Sequence, residues 1–409
     1  MGMNETPASE RVHIGFFGKR NAGKSSVMNA VTGQNLAVVS EVKGTTTDPV
    51  LKSMELLPLG PVVMMDTPGI DDEGELGSLR VGKSRQTLNK TDAAVLVLDG
   101  TEGFSREDKE LLELIRKKEI PWIAVLNKRD KLSDQEVCQA EDSLRKNGIQ
   151  ENEFLWVSAE KKMGIQELKE RIALLAKPRE NSRRLAGDLL APGDLVILVV
   201  PVDKAAPKGR LILPQQQTIR DILEADACSV VVKENALKET FDKLAVKPRM
   251  VITDSQVFEK VSRDTPLDIP LTSFSILFAR YKGNLTTAAK GAKALETLKD
   301  KDKILISEGC THHRQCGDIG TVKLPAWIRE YTGKDLEFHF TSGTEFPDNL
   351  EEYSLVVHCG GCMLGEREMK YRLNCAREQE IPMTNYGILI AYMKGILERS
   401  LGVFPDLFL

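Results

Sequence analysis

Gly18-Lys19-Arg20-Asn21-Ala22-Gly23-Lys24-Ser25 follows directly on the alternating apolar run from Arg11 to Phe17 and opens a stretch of helical character. A G-x-x-x-x-G-K-S spacing between a strand and a helix is the setting of a P-loop. Successive backbone N–H groups in such a turn, reinforced by the helix N-terminus, form a cradle for phosphate oxygens. Lys24 is placed to reach β- and γ-phosphates and Ser25 to bind Mg²⁺, with Gly18, Asn21, Ala22, Gly23 and Ser26 around them. A glycine-rich turn alone would be compatible with this one box, so the boxes downstream decide.

Asp66-Thr67-Pro68-Gly69 ends a second apolar run, Pro61 to Met65, and offers a magnesium-side carboxylate and a γ-phosphate-sensing glycine. Asn127-Lys128-Arg129-Asp130 ends a third run, Trp122 to Leu126. This N-K-x-D box selects guanine, because the Asp130 carboxylate accepts from two base N–H groups that adenine does not offer in that arrangement. Ser158-Ala159, after Phe154 to Val157, puts a backbone N–H near the guanine carbonyl. Four ordered boxes at strand ends resemble the translation-factor-related GTPases, with Glu160 where many relatives have Lys. GTP or GDP with Mg²⁺ is the expected ligand.

Gly44-Thr45-Thr46-Thr47-Asp48 resembles the first switch of the TrmE–Era branch, in which Thr46 meets Mg²⁺ and the γ-phosphate. Ile70 stands where Ras-like enzymes keep a water-orienting Gln, and an isoleucine cannot do that work. An arginine finger elsewhere supplies about 10³–10⁵ in rate, or ~4–7 kcal/mol, so another group must stand in. Asn21 occupies the position at which TrmE-type enzymes hold K⁺ against the phosphates. Slow, K⁺-stimulated hydrolysis is expected, with Lys24, Asn21, Thr46 and Gly69 as the catalytic groups. The polar stretch 71–85 reads as a mobile second switch. Ser105 to Lys118 and Gln166 to Ala176 read as helices, and 177–184 as a linker.

Apolar runs at Asp194 to Val202, Cys228 to Lys233 and Arg249 to Thr253 alternate with helical stretches at Gln216 to Ala225 and Glu234 to Ala245. That alternation predicts a small parallel α/β unit from Leu185 to Leu267, serving either oligomerisation or simply its own core. Further on, two more strand-like runs, Lys303 to Ser307 and Tyr353 to Val357, precede Cys310-Thr311-His312 and His358-Cys359-Gly360-Gly361-Cys362. Together they read C-x-H, 45 residues, H-C-x-x-C. Clustered Cys and His at this spacing hold a metal more often than a disulfide in a reducing compartment. If both runs are parallel strands of one sheet, their carboxyl ends bring the two half-sites together. Mixed thiolate and imidazole suit zinc, whereas three cysteines suit an iron–sulfur cluster with one unusual or open position.

The 409 residues allow two to three domains, each with its own core, and the net charge of -4 gives no global basic footprint for nucleic acid. No apolar run reaches bilayer length, the N-terminus lacks a signal-peptide layout, and seven cysteines is an odd number. A cytoplasmic protein with no membrane partner is expected. Cys316 reads as a structural or incidental thiol rather than a spare ligand, Cys375 as core, and Cys138 and Cys228 as non-ligands.

A P-loop GTPase, a middle α/β unit and a C-terminal C-x-H…H-C-x-x-C together resemble the HydF family, the FeFe-hydrogenase maturation GTPases, over essentially the whole chain. The resemblance implies an α/β chain of three parts: a P-loop GTPase domain over 1–178, a dimerisation domain over 185–267 and an iron–sulfur cluster-binding domain over 268–409. It implies a 4Fe-4S cluster on Cys310, Cys359 and Cys362, with His312 and His358 as candidates for an exchangeable fourth ligand. A two-iron subcluster precursor would be transient cargo, handed to the apo-hydrogenase, with two radical-SAM maturases as further partners. A homodimer, with pairing into tetramers left open, is expected. Two other readings stand beside this one: an RNA- or ribosome-associated GTPase, for which no basic stripe is visible, and a protein whose zinc only staples the C-terminal domain.

Overall fold

Alternation of short apolar runs with amphipathic helices gives this chain parallel sheets, because each strand must cross over through a helix before pairing with its neighbour. The structure, a computed structural model, describes residues 10–33, 50–69, 84, 86–176, 184–201, 211–309, 318–343 and 345–404. The chain divides into two compact units, Met1–Glu180 and Asn181–Leu409. No helix among the described residues is long and apolar enough to cross a membrane.

The first unit holds β1 (Val12–Phe17), β2 (Val50–Leu56), β3 (Gly60–Asp66), β4 (Ala93–Asp99), β5 (Trp122–Asn127) and β6 (Phe154–Trp156). They form one sheet in the order β2-β3-β1-β4-β5-β6, with β2 antiparallel to β3 and the other pairs parallel. Every residue of β4 is buried, as a central strand covered on both faces requires. The helix Arg106–Lys117 starts at a capping box, where Ser105 and Asp108 satisfy each other's backbone N–H, and it buries Leu111, Leu112 and Ile115.

In the second unit, β7 (Leu195–Val199), β8 (Cys228–Val232), β9 (Met250–Thr253) and β10 (Leu271–Ser273) form a parallel sheet in the order β10-β9-β7-β8. The middle sheet thus runs past Leu267, where sequence reading ends it, because a three-residue edge strand is too short to show periodicity. A second parallel sheet is built from β11 (Lys303–Glu308), β12 (Glu337–Ser342), β13 (Leu355–His358) and β14 (Met383–Asn385), ordered β12-β11-β13-β14. One apolar core runs through both sheets, from Val196 and Phe274 to Ile304, Val357 and Leu389. The two regions therefore do not have the separate cores expected of independent domains. Alternate residues Leu305 and Val356 face a smaller cluster with Met369 and Cys375, so β11 and β13 are covered on both faces.

Gly291, in the helix Leu285–Ala292, lies against β14: a Cβ there would sit 2.2 Å from the Met383 carbonyl oxygen. Backbone cannot yield as a flexible side chain does, so Gly291→Ala is expected to cost about 1–3 kcal/mol. A urea midpoint unchanged from wild type would remove this account of the close approach.

Candidate functional site

After β1 the chain turns through Gly18 (φ 143°), Asn21 (φ 61°) and Gly23 (φ 90°) into the helix Lys24–Thr32. A Cβ on Gly18 would lie 2.1 Å from the Val97 carbonyl oxygen, and one on Gly23 would lie 2.2 Å from Asn127 Nδ2. Both positions need glycine for space as well as for backbone angle. Lys24 Nζ donates to the carbonyls of Gly18 (3.0 Å) and Lys19 (2.7 Å), which holds the ammonium within the loop. Asn21 and Ser26 are exposed beside it, and Ala22 is buried.

Ser25 Oγ donates to Asp66 Oδ2, while Asp66 Oδ1 is buried with no hydrogen-bond partner among the described residues. Burial pushes the Asp66 carboxyl above its ordinary range, against the opposing pull of the Ser25 hydroxyl and the Lys24 charge. A carboxylate with one oxygen bare and the other beside a serine hydroxyl is the donor set Mg²⁺ takes, and its arrival would remove the cost of that unpaired oxygen. Thr67 donates both N–H (3.3 Å) and hydroxyl (2.7 Å) to the Phe16 carbonyl, which ties the run leading to Gly69 to the P-loop strand. Thr46, Ile70 and most of the 71–85 stretch lie outside the described residues.

On the base side, buried Asn127 donates from Nδ2 to the Ala22 carbonyl (3.1 Å) and accepts at Oδ1 from the Ala159 N–H (3.1 Å). One side chain thereby links the P-loop to the Ser158-Ala159 turn. The Ala159 amide, expected to face the guanine carbonyl, is engaged by Asn127 here. Lys128, in left-handed conformation (φ 68°), forms an ion pair with Asp99 at the end of β4. A hydrogen bond from Ser158 holds the exposed Asp130 carboxyl below its ordinary range, keeping it an acceptor.

In the second unit, β13 lies beside β11 with His358 opposite Ser307. From β11 the chain moves outward to β12 and then returns to the other side of β11 for β13. β11 therefore has β12 on one side and β13 on the other, and the crevice at the carboxyl ends of β11 and β13 is the topological switch point. Gly309, one residue before Cys310, donates its N–H to Cys359 Sγ (3.0 Å), and Gly361 adds a second at 3.4 Å. Gly361 takes φ 64° and packs where a Cβ would meet Met369 Sδ at 2.8 Å. Buried Lys282 donates to the Leu364 carbonyl (2.8 Å), closing the loop that carries Cys362. Burial pushes the Cys359 thiol up, and burial with the neighbouring Cys359 pushes Cys362 up to about 11.

Backbone N–H groups aimed at a cysteine sulfur inside an apolar surround are the environment of thiolates that ligate iron or zinc. Of the motif cysteines described, Cys359 has that environment and Cys362 lies partly buried beside it, a pair that fits such a group. Cys310 and His312 lie outside the described residues, and among those described no three Cys, His, Asp or Glu side chains gather as a metal site. His358 is buried at the end of β13, with Nδ1 2.7 Å from the Cys359 carbonyl and Nε2 2.9 Å from Arg372 Nη1. Burial and the Arg372 charge push its pKa down to about 3, so the ring is neutral.

Asp99, Arg372 and Lys282 belong to none of the sequence motifs, yet each holds part of a site. Asp99 ends an apolar run, Ala93 to Leu98, as Asp66 does, so a strand-end signal was available. Glu368 and Arg372 stand four apart on the helix Glu366–Glu378, which ordinarily marks a solvated ion pair. Only packing reveals that both are buried.

Residues 13–128 match the family model described as 50S ribosome-binding GTPase, 185–283 the hydrogen maturase F dimerization domain and 286–403 the hydrogen maturase F tetramerization domain. The chain is 35% identical over 189 residues to GTPase Der of Wolinella succinogenes, a match covering 45% of this chain and 39% of that protein. It is 34% identical over 158 residues to the tRNA modification GTPase MnmE of Clostridioides difficile, covering 38% and 33%. The chain thus spans well under half the length of these relatives. A solved structure of Era from Aquifex aeolicus bound to GDP and aluminium fluoride aligns at 22% identity and TM-score 0.38, over 54% of this chain and 93% of that one. The two maturase models account for nearly all of the second unit. With a P-loop GTPase domain followed by dimerisation and tetramerisation domains of the hydrogen maturase type, the chain belongs to the hydrogen maturase F (HydF) family.

Proposed function

We propose that this protein is a GTP-hydrolysing scaffold of FeFe-hydrogenase maturation. It binds a 4Fe-4S cluster, carries a precursor of the two-iron subcluster and delivers it to apo-hydrogenase. The observation that carries this reading is the meeting of Gly309 with Cys359 at the β11/β13 switch point, in a chain with both maturase domains. Cys310, Cys359 and Cys362 would hold the cluster, and His312 and His358 are the motif's candidates for the exchangeable fourth position. A cluster with one labile position gives a carrier a bond that forms and breaks without dismantling the rest.

The nucleotide would act as a switch. Thr46 and Gly69 would respond to the γ-phosphate, with Ser25 and Asp66 on Mg²⁺ and Asn21 on K⁺. Docking of apo-hydrogenase and of two radical-SAM maturases would then differ between nucleotide states, since a ligand shifts an equilibrium only through differential affinity. The middle domain would join two copies, in keeping with the dimerisation model it matches. The site of action would be the cytoplasm, with no part for membrane or nucleic acid.

Anaerobically purified protein is expected to be brown, with iron and sulfide in stoichiometric amounts, and Cys359→Ser with Cys362→Ser is expected to lose both. Colourless protein holding zinc would overturn the cluster assignment. Turnover of GTP is expected to be faster in K⁺ than in Na⁺, with Asn21→Ala abolishing the difference; equal rates in wild type would remove the role given to Asn21. Asn127→Ala deletes two hydrogen bonds, one buried and one partly buried, that brace the P-loop against the base-side turn. At about 1 kcal/mol each, their loss is expected to weaken GDP binding about tenfold or more in a fluorescent-nucleotide titration. Unchanged affinity would show that the brace is dispensable.

A further inference from the structure

Arg372 is fully buried beneath the Cys359 loop, and each of its five N–H groups has an acceptor. Nε and Nη2 donate to Glu368 Oε1 at 3.0 and 2.9 Å, and Nη2 donates also to the Gly343 carbonyl at 2.7 Å. Nη1 donates to Ser307 Oγ at 3.2 Å and to His358 Nε2 at 2.9 Å. Ser307 also accepts from Thr341 Oγ1 at 3.0 Å. The network therefore joins β11, β12 and β13 one residue before the chain enters the cysteine loop.

A guanidinium has no acceptor, so His358 Nε2 must be the unprotonated nitrogen, and Nδ1 carries the proton given to the Cys359 carbonyl at 2.7 Å. The tautomer is thus set by chemistry. Moving either ring nitrogen to a metal would strand a buried Arg372 N–H or the Cys359 carbonyl. Each such loss carries a desolvation cost that metal ligation would have to exceed.

We infer that Arg372 is a positioning residue that keeps His358 out of the metal-ligand set and makes it a strut for the Cys359 backbone. This rests on the cluster reading above and deepens it, since the exchangeable fourth position then falls to a group outside β13.

The test uses the full chain labelled with [¹⁵N]histidine. In the metal-free protein, long-range ¹H–¹⁵N spectra, assigned by comparison with His358→Gln, are expected to show His358 as a single Nδ1–H tautomer. An Nε2–H tautomer, or a rapidly exchanging mixture, overturns the inference whether or not the protein ever binds iron. After anaerobic reconstitution and reduction, pulsed EPR is expected to give the same histidine-nitrogen coupling, present or absent, in wild type and in His358→Gln. A directly bound nitrogen seen in wild type and lost in His358→Gln overturns it. Arg372→Met paired with Glu368→Met removes both buried charges together and avoids leaving one unpaired. That variant is expected to fold and to lose iron to a chelator at about 10–100-fold lower chelator concentration. Retention at the wild-type level overturns the role of Arg372, and if the variant does not fold, the two His358 measurements decide. Wild-type protein that takes up no iron sinks the cluster reading alone.

Discussion

Parallel pairing forces neighbouring strands to end on the same edge of a sheet, and both candidate sites of this protein lie on such an edge. In the first unit, β1, β3, β4 and β5 end at Phe17, Asp66, Asp99 and Asn127, each at or directly before a residue that touches the nucleotide boxes. In the second, β11 and β13 end at Glu308 and His358, and the chain beyond them brings Gly309 against Cys359. Residues far apart in sequence are adjacent because the crossover geometry leaves their strands no other edge to end on.

Around those edges the polar groups divide into two kinds. Asn127 and Arg372 are buried and matched, each joining segments that the sheet alone would leave independent. Asp66 Oδ1 is buried and unmatched among the described residues. A matched network in a low-dielectric interior holds one geometry, whereas a buried carboxylate oxygen without a protein partner leaves an acceptor that a cation could take. The same distinction separates His358, whose nitrogens are both engaged, from the Cys359 sulfur, which only accepts, from the Gly309 and Gly361 N–H groups.

Much of this was legible along the chain. The boxes at Gly18–Ser25, Asp66–Gly69, Asn127–Asp130 and Ser158-Ala159 each follow a strand in the structure, and the runs now seen as β7, β8, β9, β11 and β13 stood out as apolar segments. Shorter or more mixed segments did not. β10 and β14 have three residues each, and β12 alternates aromatic with polar residues along an edge. Periodicity needs length and a buried face to register.

Local order, spacing and residue type were therefore set by the sequence: which turns bind phosphate, which boxes follow which strands, and that cysteines recur at C-x-x-C spacing. Burial and partnership belong to the tertiary structure. That Glu368 and Arg372 form an interior pair, that His358 is neutral and doubly bonded, and that one core runs through the middle and C-terminal sheets depend on contacts between distant segments. No local pattern encodes such contacts, because desolvation is a property of what packs over a group and not of its neighbours in the chain.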